Sequence, residues 1–445
     1  MTSLIHRSLI TAPPLAVRGE GIHIFDASGK RYTDASGGAA VSCLGHQNDH
    51  VIKSIKEQAD NLAYAHTGFF TSDPAENLAN QIIKNAPEPL EKIYLVSGGS
   101  EAVESALKMA RQFHWERGDL KRHKIIARKQ SYHGNTLGAL AVGGNEWRRE
   151  KFEPMLMDVG KISPCYEYRF KSTDETPEEY GLRSANELEE KIIELGEHTV
   201  SAFIAETVVG ATSGAVPPTP GYFKRIREIC DRYGVLLILD EVMCGVGRTG
   251  SWFSFEQDNI VPDMVTIAKG LAAGYQPIGA LVVTKTIYDA LKNGSGFFQH
   301  GYTFMGHSIA CAAALATLDV IEREGLVDQA KTKGLEFSKK LKGSISQYQC
   351  VGDIRGRGLF QAIEFVKDKE KKLPFPENLK LAAELKKKAF EKGLICYPMS
   401  GTIDGRSGDH ILLAPPYILN SENIDEIVNL LSRTIEDIEK NLSFI

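Results

Sequence analysis

The chain of 445 residues contains no apolar run approaching the roughly 18–20 residues of a membrane span. It has no C-x-x-C pair. Its seven cysteines, at 43, 165, 230, 244, 311, 350 and 396, are odd in number and far apart, which reads as reduced thiols and argues against both a disulfide frame and a metal site. There is no basic excess: a formal net charge of -5 gives no electrostatic reason to bind nucleic acid. An apolar signal core is missing from the N-terminus as well. Arg7 and Arg18 precede the first acid, Glu20, in the manner of an organelle transit peptide, but the folded pattern "GIHIFDASGKRYTD" starts so early that little could be removed, and a cytoplasmic protein is expected. No internal repeat and no low-complexity segment is visible. What is present, 42% hydrophobic and 24% charged residues with 41 glycines, suits a globular chain of two or three domains.

Residues 22–36 alternate apolar and polar about "DASGK" and predict a hairpin. From about 50 to 310, short apolar runs ("EKIYLV", "KIIARK", "VSAFIAE", "VLLILD", "DMVTIA", "GALVVT") alternate with amphipathic helical stretches. Continuous runs of this kind suit strands buried on both faces, so the fold class is α/β with a mostly parallel central sheet. The acidic stretch "STDETPEEYG" (172–181) is expected to be an exposed insertion. Beyond about 307 the chain is expected to give a helix at "GHSIACAAALATLDVIE", a strand pair at "GDIRGRGLFQAIEFV", and a helix over 379–392 that ends at Gly393. The expected organisation is an N-terminal segment (1–50) belonging to a smaller α+β domain, a large domain (51–310), and a C-terminal part (311–445) that completes the small domain.

The stretch "VLLILDEVMCGVGRTG" (235–250) admits three readings. An acidic strand end can belong to an ATPase, but that requires G-x-x-x-x-G-K-[ST] upstream. The two Gly-Lys pairs, Gly29-Lys30 and Gly160-Lys161, are followed by Arg31 and Ile162 and lack the earlier glycine. Gly245, Gly247 and Gly250 spell G-x-G-x-x-G, yet "EVMC" separates them from the strand and "SWFSFEQ" after them has the alternation of a loop or strand, whereas a dinucleotide site needs the first glycine directly after the strand and a helix at the last. The third reading makes Asp240 an anion held against a protonated ring nitrogen. A pyridine cofactor such as pyridoxal 5'-phosphate (PLP) then needs a phosphate cup, a ring platform and an amine. "YLVSGGSEAVESALKMARQF" (94–113) offers Gly98, Gly99 and Ser100 at a helix start, where free N–H groups and the helix dipole attract phosphate. "SYHGNTLG" puts Tyr132 and His133 after a strand, with a flat aromatic that can stack on a ring. "DMVTIAKGLAAG" ends a buried strand in Lys269, whose amine burial would free for a Schiff base. Each feature taken alone is more readily an ordinary turn, a packed aromatic or a solvated strand-end lysine.

In combination and order they are specific. The chain resembles the class III aminotransferases, the fold-type I PLP group that includes ω-amino acid and amine transaminases, through "SGGSEAVESALKMAR", "YHGNT", "LLILDEVMCGVGRTG", "PDMVTIAKGLAAGYQPIGA" and "HGYTFMGHSIACAAAL". The resemblance runs over nearly the whole chain. It implies Lys269 as the Schiff-base lysine, Asp240 as partner of the pyridinium nitrogen, Gly99 and Ser100 as phosphate donors, Tyr132 and Val242 on the two faces of the ring, His133 and Glu206 beside it, and Thr303 reaching the phosphate of a neighbouring subunit in a homodimer. Thr207 and Ser308 stand where the family usually has proline. The implied reaction is a ping-pong transfer from an amino donor to a keto-acid acceptor, and the same parts could also serve a dialkylglycine decarboxylase, a racemase or an aminomutase, which differ in the bond broken. For the substrate pocket the expectations are a small residue at Ala40, apolar walls from Tyr64, Phe69 and Phe70, and Arg406 in a Gly-flanked loop as the carboxylate partner.

Overall fold

Seven strands form the central sheet of the computed structural model, which describes residues 3–442. Their spatial order is Leu90–Val96, Gly279–Thr284, Met264–Ala268, Leu236–Asp240, Val200–Glu206, Lys124–Arg128 and Gly160–Ile162. From Met264–Ala268 outward to Gly160–Ile162 every pairing is parallel, and only Gly279–Thr284 runs against its two neighbours. The six apolar runs of the sequence are six of these strands; the seventh has three residues, too few for a periodic signal. Leu237, Ile238 and Leu239 have no exposed surface, each side chain contributing about 1.5–3 kcal/mol by its burial. Helix Gly99–Glu116 buries Ala102, Val103, Ala106, Leu107 and Ala110, and packs across strands Met264–Ala268 and Gly279–Thr284.

Two four-stranded sheets flank this one. The first joins Ala16–Glu20, His23–Asp26 and Arg31–Asp34 to Leu394–Ile395 from the far end of the sequence. The second joins Val351–Arg357, Phe360–Phe365, Asp409–Leu413 and Tyr397–Ser400, all antiparallel. The hairpin about "DASGK" and the strand pair in "GDIRGRGLFQAIEFV" both form, whereas strand Ala16–Glu20 gave no sequence signal. Helix Leu381–Glu391 stops before Gly393, whose φ of +81° supplies the left-handed step.

Residues 172–179 are largely exposed, as expected, but the stretch is also the start of a helix. Thr176 and Glu179 form a reciprocal capping box that opens helix Pro177–Leu195, and Tyr180 and Gly181 are buried. The T-x-x-E signature with proline at the first helical position was there to be read. "SWFSFEQ" is likewise neither strand nor loop throughout: a 3-10 turn spans Ser254–Asp258. Among the described residues no helix is long and apolar enough to cross a membrane.

Candidate active site

Parallel pairing brings the strand ends level. Glu206 stands opposite Asp240, and Asp240 opposite Thr266, so Lys269 lies just past the same edge. Ligands of open parallel sheets bind at this carboxyl edge. A cavity of about 440 Å³ opens there. It is lined by Gly98, Gly99, Ser100, Tyr132, His133, Glu206, Asp240, Val242 and Lys269, which together make up the sequence-derived cofactor set except for Thr303.

The cavity is electrostatically organised. Asp240 is buried, and its two carboxylate oxygens are engaged separately: Oδ2 by His133 Nδ1 at 2.8 Å and Oδ1 by the Val242 N–H at 3.0 Å. His133 therefore fixes the orientation of a carboxylate, a contact that its neighbourhood in sequence does not reveal. Glu206 accepts N–H groups from Tyr132 at 3.0 Å and Gly210 at 2.8 Å, and burial raises its carboxyl above the ordinary range while the nearby His133 opposes the shift. Arg128, also buried, donates to the Glu206 carbonyl. Lys269 follows strand Met264–Ala268 with a left-handed φ of +49°. Enclosure pushes its amine down from 10.5 to about 8, although Asp240 and Glu206 pull it back up.

Helix Gly99–Glu116 begins at Gly98 with no side chain capping it, so its first N–H groups face the cavity. Close packing here requires glycine. A Cβ on Gly99 would lie 2.8 Å from Val242 Cγ1, and one on Gly134 would lie 2.5 Å from Ser100 Oγ. Ser100 Oγ accepts the Asn135 N–H at 3.1 Å, which leaves its own hydrogen to donate.

The remainder of 235–250 is structural. Glu241 is buried and accepts from Ser254 N–H at 2.6 Å, Phe255 N–H at 2.8 Å and Thr207 Oγ1 at 2.8 Å, while burial raises its carboxyl to about 8. Thr207, in the position where the resemblance expects proline, thus holds Glu241. Gly247 and Gly250 adopt φ of +87° and +90° in a run of turns, with no helix starting at Gly250. This is not the geometry of a dinucleotide turn.

The substrate-pocket expectations are met less closely. Ala40 is buried against Val208 and Met243 behind the cavity, and its neighbour Val41 is the residue that lines it. Tyr64, Phe69, Phe70 and Thr303 do not line the cavity within this chain. Phe69 and Phe70 are 82% and 68% exposed, and Tyr64 donates its hydroxyl to the Thr303 carbonyl at 2.9 Å. Arg406 is also outside. It lines a separate cleft of about 1240 Å³ and pairs with Glu150 at 2.7 Å, both side chains being exposed. Its loop is anchored at the base, where Thr402 Oγ1 lies 2.7 Å from His410 Nδ1 and Gln130 donates to the Gly401 carbonyl. Residues that sequence reasoning missed include Gln276 and Pro277 in the cavity wall, and Arg148, whose guanidinium lies 4.7 Å from the Tyr132 ring centroid.

A lysine, a fixed aspartate and an open helix start converge on one edge of this α/β sheet, and the chain belongs to the class III aminotransferases: residues 8–435 match the family described as "Aminotransferase class-III". An uncharacterised aminotransferase of Schizosaccharomyces pombe is 46% identical over 95% of this chain and 92% of its own length. A thermostable (S)-enantioselective ω-transaminase from Thermomicrobium roseum superposes with a TM-score of 0.91 at 35% identity, covering 98% of this chain and 96% of that one. The ω-transaminase of Pseudomonas jessenii in complex with PMP gives 0.90 at 33% identity, covering 96% and 92%. The fold is that of the fold-type I PLP enzymes.

Proposed function

We propose that this aminotransferase holds pyridoxal 5'-phosphate in the Lys269 cavity and carries an amino group from an amine or ω-amino acid to a 2-keto acid in two half-reactions. The reading rests on one observation: a lysine whose amine is lowered to about 8, a carboxylate fixed by a histidine, and an uncapped helix start all open into the same cavity.

The residues present fit the cofactor. Gly98 has open space where a Cβ would stand, and the N–H groups behind it, with the Ser100 hydroxyl, suit a phosphate. Tyr132 and Val242 supply walls for a flat ring, and Asp240 supplies the anion for its nitrogen. When bound, the cofactor supplies an aldehyde that captures amines and a ring that withdraws electrons from the attached carbon. The chain's residues do the rest. His133 and the Val242 N–H keep the Asp240 carboxylate aimed; Glu206 braces Tyr132 through its N–H; Lys269 Nζ, neutral for much of the time near pH 8, takes and returns protons.

Thr303 is joined to Tyr64, and Tyr64, Phe69 and Phe70 are exposed within one chain, which supports a homodimer in which a second copy brings Thr303 to the phosphate and aromatic walls to the substrate. Arg406 acts as the movable carboxylate partner. Its pairing with Glu150 is exposed, and such pairs are worth only about 0.2–1 kcal/mol, so a substrate carboxylate can compete for it. Gly401, Gly405 and Gly408, at φ of +80°, +92° and +87°, make the tight turns that present Arg406 at the loop tip. Arg406→Ala should raise the KM for a keto-acid acceptor at least about tenfold, roughly 1.4 kcal/mol, and leave uncharged amine donors unaffected. Equal losses for pyruvate and a neutral aldehyde would remove Arg406 from the site.

The depressed amine makes a pH prediction. Only neutral Nζ can attack an aldehyde, so covalent uptake of the cofactor by the apoprotein should rise about tenfold per pH unit up to about pH 8 and then level. A rate still climbing near pH 10 would mean an ordinary, solvated lysine.

A further inference from the structure

Gln130 is buried, and its backbone takes a left-handed φ of +54°, uncommon for a residue other than glycine and held only where the surroundings over-determine it. Its amide is fully engaged. Nε2 donates to the Thr212 carbonyl at 3.2 Å and to the Gly401 carbonyl, and Oε1 accepts from Asn145 Nδ2 at 3.3 Å. The backbone is held as firmly: the Gln130 N–H donates to the Gly144 carbonyl at 3.0 Å, and the Gln130 carbonyl accepts from Thr212 Oγ1 at 2.8 Å. Gln130 lines the larger cleft and not the Lys269 cavity, but Tyr132, two residues on, is a wall of that cavity.

Two circuits of contacts leave Gln130 and return to Tyr132. The first runs through Thr212, two positions after Gly210. The Gly210 N–H donates to Glu206 Oε2 at 2.8 Å, and Glu206 Oε1 accepts the Tyr132 N–H at 3.0 Å. The Gly214 N–H donates to the Gly210 carbonyl at 2.8 Å and closes 210–214 into one turn, so Thr212 and Gly210 move together. The second circuit runs through Asn145. Its Oδ1 accepts the Arg148 N–H at 3.3 Å at the start of the short helix Glu146–Arg149, and the Arg148 guanidinium lies 4.7 Å from the centroid of the Tyr132 ring. One circuit fixes the backbone of Tyr132 and the other its ring.

We propose that Gln130 is a positioning residue for amino transfer: it sets the tilt of the Tyr132 ring and the aim of the Glu206 carboxylate without touching the reacting groups. This rests on reading the Lys269 cavity as the cofactor site. An amide suits the task, because it donates twice and accepts at one spot without burying a charge.

The test starts with the apoprotein. Hydrogen exchange is read by mass spectrometry over 129–135 and 207–214, with strands Leu236–Asp240 and Met264–Ala268 as reference. Gln130→Met keeps the length of the side chain and loses both donors and the acceptor. It should speed exchange over 129–135 and 207–214 about tenfold, the scale of a lost buried hydrogen bond, and leave the reference strands as they are. In the holoenzyme the same variant should release the cofactor about tenfold faster and lower kcat, with the donor KM within about twofold. Asn145→Asp breaks only the second circuit, since it keeps the acceptor for the Arg148 N–H and loses the donor to Gln130 Oε1. It should speed cofactor release about threefold with exchange over 207–214 unchanged, and it decides the matter if Gln130→Met does not fold. Unchanged local exchange, a rise shared by the reference strands, or cofactor release at the wild-type rate would each overturn the role of Gln130 alone. A wild-type protein that takes up no cofactor at Lys269 would overturn the reading of the cavity, and the proposal with it.

Discussion

Alanine in place of Lys269 should leave a folded protein with no measurable amino transfer. Proton transfer by a positioned side chain is typically worth about 10²–10⁴ in rate, and the covalent capture of the cofactor is lost in addition. Stability should hold. Alanine adopts the left-handed φ of +49° with strain similar to that of lysine, and the substitution removes an amine whose enclosure opposes its charge. Borohydride reduction followed by peptide mapping checks the assignment. In the wild type the reduced cofactor should be fixed to the peptide carrying Lys269; in Lys269→Ala it should wash out on denaturation. Fixation to a different lysine in the variant would move the reactive amine elsewhere.

Asp240→Asn is the second large effect. The amide keeps the shape of the side chain but has a single oxygen, so it can go on accepting from either the Val242 N–H or His133 while its NH2 faces the other. What disappears is the negative charge that keeps a ring nitrogen protonated. Charge stabilisation of this kind in a buried site is worth roughly 3–4 kcal/mol, or about 10²–10³ in rate. The single-turnover rate with donor should fall by that factor while cofactor content stays near that of the wild type. A rate within about twofold of wild type would assign the charge to another group.

The central sheet was legible because its strands are continuous apolar runs, and the ends of those runs point to one edge. Asp240 and Lys269 could be found for that reason: a charged residue that closes a buried strand is conspicuous. The contact between His133 and Asp240 was hidden because it crosses between two strand ends more than a hundred residues apart. In "GNEWRRE" nothing separates Arg148 from Arg149, yet one turns to Tyr132 and the other to the facing cleft. That difference is set by the phase of a single helical turn anchored through Asn145 and Gln130. Tyr64, Phe69 and Phe70 mark a further limit: their hydrophobicity suggested walls of a pocket, but within one chain they face outward. A residue's apolarity indicates that it needs cover without indicating which surface provides it. In the acidic segment 172–181 charge signals the exposure of 172–179, while the helix start is carried by the Thr176–Glu179 capping signature.

In the proposed reaction the amino group waits on the enzyme between two half-reactions. Holoenzyme mixed with an amine donor and no acceptor tests it directly, with the released carbonyl product counted against subunits. About one equivalent per subunit should appear in a single burst and then stop, with the yellow absorbance of the bound cofactor shifting to shorter wavelength, and adding a 2-keto acid should restore both the colour and the turnover. Continuous product release from donor alone, or a donor consumed with loss of carbon dioxide and no dependence on a keto acid, would contradict it.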